Sequence, residues 1–289
     1  MNWFDYATPR SLAEAIELLA SRPRAHLLAG GTDLLVQLRA GRKETDLVID
    51  VKRIPELNDI RYDETGGLSL GAAVACYLIY GNRDVQRRYP ALAETAAIIG
   101  GTLIQGRASV GGNLCNASPS ADTVPLLIAL GGSCRIAGPA GERAVAVEDF
   151  CTGPGQTVLQ PGEILVSIQL PPPRRHSGAC YLRFIPRNEM DIAVAGAGVS
   201  VALEDGSIRA ARIALAAVAP TPLFVREAGE SLAGKLVSDD VVLAAAELAR
   251  AAARPITDMR GTAEFRRHLC AVLTRRALQT AIQRAREAS

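Results

Sequence analysis

Two glycine-rich turns about eighty residues apart carry the chemistry that can be read from this chain. The first, Ala29-Gly30-Gly31-Thr32-Asp33, follows the short run His26-Leu27-Leu28. The second, Ser109-Val110-Gly111-Gly112-Asn113, continues into Leu114-Cys115-Asn116-Ala117-Ser118-Pro119-Ser120-Ala121-Asp122. A glycine pair lets the backbone take positive φ and lets a ligand come close to the main chain. Free N–H groups beside the hydroxyls of Thr32 and Ser109 make concavities suited to a diphosphate. Two such turns together predict a dinucleotide held by two separate loops. Neither turn contains Lys or Arg, so backbone amides and hydroxyls must supply much of the grip. Asn113 has two readings: its amide donates to phosphate or ribose, or it braces its own turn.

Other chemistries find little support. The G-x-G-x-x-G pattern of a doubly wound NAD domain is missing at both turns, as is the Lys-Ser/Thr ending of a Walker loop. His26, His176 and His268 are far apart and lack metal-ligand spacing, and no Ser-His-Asp set has a convincing context. Cysteines 76, 115, 134, 151, 180 and 270 form no C-x-x-C pair, so isolated thiols are expected rather than disulfides or an iron–sulfur cluster. Net charge is +2, which makes no case for nucleic acid. Hydrophobic residues are 48% and charged residues 21%, as in soluble globular proteins. The start Met1-Asn2-Trp3-Phe4-Asp5 has no basic region leading into an apolar stretch, and no apolar run is long enough to span a bilayer. A cytoplasmic location without stable membrane insertion is the expectation.

The elements that must position the turns follow from pattern. Ser11-Leu12-Ala13-Glu14 reads as a capping box opening a helix to about Ala20. A strand from His26 delivers the first turn, Thr32 or Asp33 can cap a helix from Leu34 to Arg39, and Asp46 to Val51 is a buried strand. A second unit holds strands at Asp59–Asp63 and Leu68–Ala72, helical patterns at Ala75–Arg88, Pro90–Ile99 and Asp122–Leu130, and strands at Ser133–Ile136, Ala144–Val147 and Glu163–Leu170. Pro171-Pro172-Pro173 is the clearest boundary, because three prolines continue neither ladder nor helix. Beyond it lie three strand-like runs, Ala179–Phe184, Ile192–Glu204 and Ile208–Val218, with the hairpin signal Asp205-Gly206. Helical segments then cover Arg226–Ala233, Asp239–Ala253 and Gly261–Glu287. The arginines of the last, Arg266, Arg267, Arg275 and Arg276, read as a solvated face. The fold class is α+β.

The two turns, their order and their spacing resemble the FAD-binding medium subunit of molybdenum hydroxylases, the family of carbon monoxide dehydrogenase and xanthine dehydrogenase. The resemblance covers essentially the whole chain and is strongest in the second motif through Asp122. It implies a two-lobed FAD-binding domain of the PCMH type over residues 1–173, with lobes of about 1–55 and 56–173. A smaller α+β domain over 174–289, a three-stranded antiparallel sheet plus helices, is expected to follow. The implied cofactor-binding set is Ala29, Gly30, Gly31, Thr32, Asp33, Ile99, Ser109, Gly111, Gly112, Asn113, Asp122, Leu165 and Arg183. Ile99 would border the flavin ring, Leu165 would form an apolar wall, and Asp191 matches a further recurrent acid. Read as isolated positions, Ile99 and Leu165 are core residues and Asp122 is an N-cap. Arg183 falls where the xanthine dehydrogenase branch carries a lysine, and arginine is fixed in charge. Nothing suggests covalent flavin attachment, and no residue of this chain is expected to be catalytic or to bind metal. The resemblance further implies partners: a small subunit with two [2Fe–2S] clusters and a large molybdopterin subunit, arranged as a dimer of heterotrimers. Electrons would pass from the clusters through FAD to an external acceptor. The four-cysteine insertion of the benzoyl-thioester reductase branch is not evident. A free-standing FAD-dependent oxidoreductase of related two-lobed fold is the alternative, and a flavin-free scaffold module is a third reading.

Overall fold

The computed structural model describes residues 3–288. Three strands near the N-terminus, Asp5–Ala7, Leu47–Asp50 and Ala25–Leu28, form a wholly parallel sheet with Leu47–Asp50 in the centre. All four central residues are buried, as a strand covered on both faces requires. The helix Leu12–Ser21 packs beside this sheet. Its capping box forms with one change: Ser11 Oγ accepts from the Glu14 amide at 3.2 Å, but Glu14 Oε2 accepts from the Arg10 amide at 2.9 Å.

A five-stranded antiparallel sheet follows, in the order Ile60–Asp63, Gly67–Gly71, Ile164–Leu170, Ser133–Gly138, Gly141–Ala146. Its central strand arrives from nearly a hundred residues downstream of its neighbour Gly67–Gly71. The excursion between the two carries the second glycine motif. The helical pattern predicted over 75–88 is two helices, Cys76–Gly81 and Arg83–Arg88. They part at Asn82, whose Oδ1 accepts from the amides of Asp84 and Val85 and so starts the second helix. The helix Val124–Ala129 begins two residues later than predicted and is buried at every position.

The three strands expected beyond the prolines are Ser177–Phe184, Ala195–Glu204 and Ser207–Ala216, and a two-residue strand, Leu223–Phe224, joins them as a fourth. Glu204 pairs with Ser207 across Asp205 and Gly206, both at positive φ, as the hairpin signal requires. Helices Asp239–Ala252 and Ala263–Glu287 bury a second apolar core against this sheet. The helix Val124–Ala129 also packs on it. Gly198 permits that approach, since a Cβ there would lie 2.6 Å from the Pro125 carbonyl carbon. Arg266 corrects the solvated-face expectation. It is 4% exposed, and its guanidinium donates to the carbonyls of Val194 and Ala217 and to Asp258.

Candidate functional site

The two glycine motifs meet, and they are built differently. The first is a turn in which Gly31 alone of the four motif glycines has positive φ, at 78°. Gly30 is required by proximity instead. A Cβ there would lie 2.0 Å from the carbonyl oxygen of Arg107, two residues before Ser109. The second motif corrects the expectation of a positive-φ turn. It is the first turns of a helix, Val110–Cys115, capped by Ser109 Oγ accepting from the Gly112 amide at 3.0 Å. Gly111 is needed because a Cβ would sit 2.4 Å from the Ala72 carbonyl oxygen. In both motifs, at Gly30 and Gly111, glycine mainly serves backbone-to-backbone approach.

Between the motifs lies a cleft of ≈ 550 Å³, within the range of cofactor pockets. Ala29, Gly30, Gly31, Thr32 and Asp33 line it from one side, and Ser109, Gly111, Gly112 and Asn113 from the other. Ile99 and Leu165 line it too, alongside Ala72, Ala73, Ile104 and Ile164, an apolar stretch suited to a planar ring. The amides of Gly30, Gly31, Thr32 and Asp33 have no acceptor among the described residues, and neither do those of Val110 and Gly111. Unpaired donors beside glycine-permitted backbone contacts fit a dianionic diphosphate. Asn113 realises part of its bracing role: its Oδ1 accepts from the Thr123 amide and hydroxyl, at 3.3 and 2.7 Å. Its amide nitrogen has no acceptor among the described residues.

Asp122 and Arg183 do not line the cleft; they stand behind its wall. Asp122 is not an N-cap. Its carboxylate is ion-paired with Arg183 and accepts from Tyr181 Oη at 2.9 Å. Burial raises the Asp122 pKa, opposed by Arg183 and by the Tyr181 hydrogen bond. Arg183 also donates to the carbonyl of Ile98 at 2.8 Å, one peptide from Ile99 in the cleft wall. Asp191, the further acid, is not among the lining residues and lies 3.8 Å from Arg260.

Sequence reasoning missed several lining residues. Gln37, within the helix that leaves the first motif, and Asn116, at the end of the helix that the second motif opens, bond to each other at 2.9 Å and both line the cleft. Lys43 and Glu163 also line it. So does His26, whose Nε2 lies 3.1 Å from the Glu44 carbonyl and whose pKa is lowered by burial. No pattern of spacing marks these positions. Asp33 sits at the N-cap of the Leu34–Arg39 helix without a side-chain cap bond. Desolvation raises its pKa and Lys43 opposes this. Below the first loop, Asp50 accepts from Tyr6 and from Lys52 Nζ (2.7 Å), and Lys52 Nζ reaches the Ala29 carbonyl at 3.3 Å. Cys115 lines the cleft, but desolvation pushes its thiol up to about 12, which leaves it un-ionised at neutral pH.

The chain matches the model of the FAD-binding domain in molybdopterin dehydrogenases over residues 2–173. It matches the carbon monoxide dehydrogenase flavoprotein C-terminal domain over residues 180–281. It is 33% identical over 283 residues to the xanthine dehydrogenase FAD-binding subunit of Escherichia coli O157:H7, covering 96% of this chain and 97% of that one. It is 35% identical over 280 residues to the carbon monoxide dehydrogenase medium chain of Hydrogenophaga pseudoflava, with 96% of each covered. Its backbone superposes with a TM-score of 0.94 and 34% identity on a chain of the carbon monoxide dehydrogenase structure from H. pseudoflava that lacks the Mo-pyranopterin moiety, over 98% of each. Fold and cleft together define a flavoprotein chain of an oxidoreductase. The chain belongs to the FAD-binding medium subunits of the carbon monoxide dehydrogenase and xanthine dehydrogenase family. Among the described residues no helix is long and apolar enough to cross a membrane.

Proposed function

We propose that this chain is the electron-transfer subunit of a multi-subunit molybdenum-containing hydroxylase. In this reading it receives electrons from [2Fe–2S] clusters on a small partner subunit and delivers them from FAD to an external acceptor. Substrate is oxidised at molybdopterin on a large partner subunit, and the working unit is a dimer of such heterotrimers in the cytoplasm. The observation that carries the reading is the single cleft between the two glycine motifs, with unpaired amides of both motifs beside it.

FAD, when bound, supplies the redox chemistry, because it exchanges electrons singly or in pairs. The chain's own groups bind and orient. The amides of residues 30–33 and of 110–111 would hold the diphosphate, with the Thr32 hydroxyl and the Asn113 amide beside them. Ile99, Ile104 and Leu165 would offer apolar contact to the ring and exclude water from it. The Asp122–Arg183 pair holds the wall that carries Ile99 and fixes charge behind it. The domain division at the Pro171–Pro173 run is part of the same proposal.

The test is direct. The purified chain should carry one non-covalent FAD, released by acid and identified by mass. Co-expressed with iron–sulfur and molybdopterin subunits of the same family, it should elute with them. A colourless protein that takes up no FAD, or one that oxidises organic substrates while remaining alone, would defeat the proposal.

A further inference from the structure

A diphosphate brings negative charge, and neither glycine motif contains Lys or Arg to meet it. The fold supplies one from elsewhere. Lys43 lies on the return from the helix Leu34–Arg39 to the strand Leu47–Asp50, and it lines the cleft. It is the sole Lys or Arg among the described lining residues. Four cations elsewhere around the cleft are committed to other contacts. Lys52 pairs with Asp50, Arg183 with Asp122, and Arg24 with Glu44 and Asp46, while Arg107 Nε reaches the Gly30 carbonyl at 3.4 Å. Lys43 forms no ion pair among the described residues, and its backbone amide is tied to the Gln37 carbonyl at 3.4 Å. Its charge is felt by both Asp33 and His26, two other residues of the same lining.

We propose that Lys43 is the counter-ion of the bound dinucleotide's diphosphate, so that the cleft selects for the phosphate-bearing part of FAD as well as for its ring. The inference rests on the cofactor reading above and adds a residue and a selectivity to it. An ammonium on a flexible stem can meet a diphosphate without disturbing the loop amides. It also balances Asp33, whose carboxylate would otherwise repel the ligand.

Isothermal titration of the full-length apoprotein tests this, with FAD, ADP and riboflavin as separate probes at low and high salt. Lys43→Met should weaken FAD and ADP alike by about tenfold, the weight of one charge-assisted hydrogen bond. It should leave riboflavin unchanged and flatten the salt dependence of FAD binding. Lys43→Arg should restore most of the affinity, and melting temperatures should not differ. Wild-type affinities for FAD and ADP in Lys43→Met would overturn the proposal and return Lys43 to a solvated surface lysine. An equal loss for riboflavin would overturn it too, because the role would then be shape rather than charge. Failure of the wild-type chain to bind FAD or ADP at all would instead refute the cofactor reading on which the proposal stands.

Discussion

Replacing Gly30 by alanine tests the physical account of the cleft most sharply. The added Cβ would meet three backbone atoms: Arg107 O at 2.0 Å, Arg107 C at 2.5 Å and Ala108 N at 3.0 Å. No rotamer change relieves contacts of this kind. To reach ordinary contact at 3.4 Å, the first motif and the approach to the second must part by roughly 1.4 Å. Overpacking of this type costs about 1–3 kcal/mol. Were all of that strain relieved in the free protein and restored on binding, FAD affinity would fall by about 5-fold to 150-fold. Part of it will appear as a lower melting temperature, at about 2–4 °C per kcal/mol. Flavin fluorescence quenching on the apoprotein and a thermal melt measure the two shares. Gly31→Ala should also weaken binding, through the strain of φ 78°, but its nearest obstacle is the movable Leu28 Cδ1 at 2.8 Å. Gly81→Ala is the control, for a Cβ there meets nothing within 4 Å. A Gly30→Ala variant with wild-type FAD affinity and wild-type melting temperature would refute the argument that motif contact builds the site.

Two further outcomes follow from the buried charges. Arg183→Met leaves Asp122 with only the Tyr181 hydrogen bond, in a place where the two side chains are 9% and 14% exposed. Breaking one side of such a pair should cost about 3–5 kcal/mol, and Asp122→Asn combined with Arg183→Met should recover part of it. Guanidinium melts of the two variants decide this, and an Arg183→Met variant within about 0.5 kcal/mol of wild type would show the pair to be dispensable. Asp50 supplies a pH signature. Burial raises its pKa, but hydrogen bonds from Lys52 and Tyr6 outweigh that and leave it lowered. A lowered folded-state pKa means stability that is present above the unfolded carboxylate value and is lost as pH falls through the folded value. The stability gap between wild type and Asp50→Asn should therefore narrow below about pH 4, as read from urea midpoints. A gap that stays constant across the acid range would remove Asp50 from the acid-sensitive set.

How much of this was legible in the sequence depends on how local the cause is. The hairpin at Asp205-Gly206 and the Ser11 cap rest on residues within a few positions, and both formed. The split at Asn82 was equally local but was masked by apolar spacing that ran through it. The second motif has the glycine pattern of a turn and forms the start of a helix. Gly111 answers to Ala72, nearly forty residues away, and neither glycine of the motif to a positive φ. Arg266 looked like a solvated helix face because its acceptors, the Val194 and Ala217 carbonyls, lie on strand ends and loops that only the fold brings together. Lys43, Gln37 and Asn116 carry no recognisable pattern for the same reason: each follows a glycine motif in sequence and reaches the cleft only through the fold.

The chemistry of arginine, as distinct from lysine, decides what Arg183 does in this fold. A lysine at this position offers one ammonium. The planar guanidinium presents separate donors in fixed directions. Here one nitrogen meets Asp122 and another meets the Ile98 carbonyl. The residue therefore ties the C-terminal sheet, through the strand Ser177–Phe184, both to the segment after the second motif and to the peptide that precedes Ile99 in the cleft wall. Tyr181, two residues earlier on the same strand and facing the same side, adds its hydroxyl to Asp122. Asp122, Tyr181 and Arg183 together form a brace. It holds the apolar end of the cleft against the C-terminal domain, so a change at Arg183 should reach the cofactor through the position of Ile99.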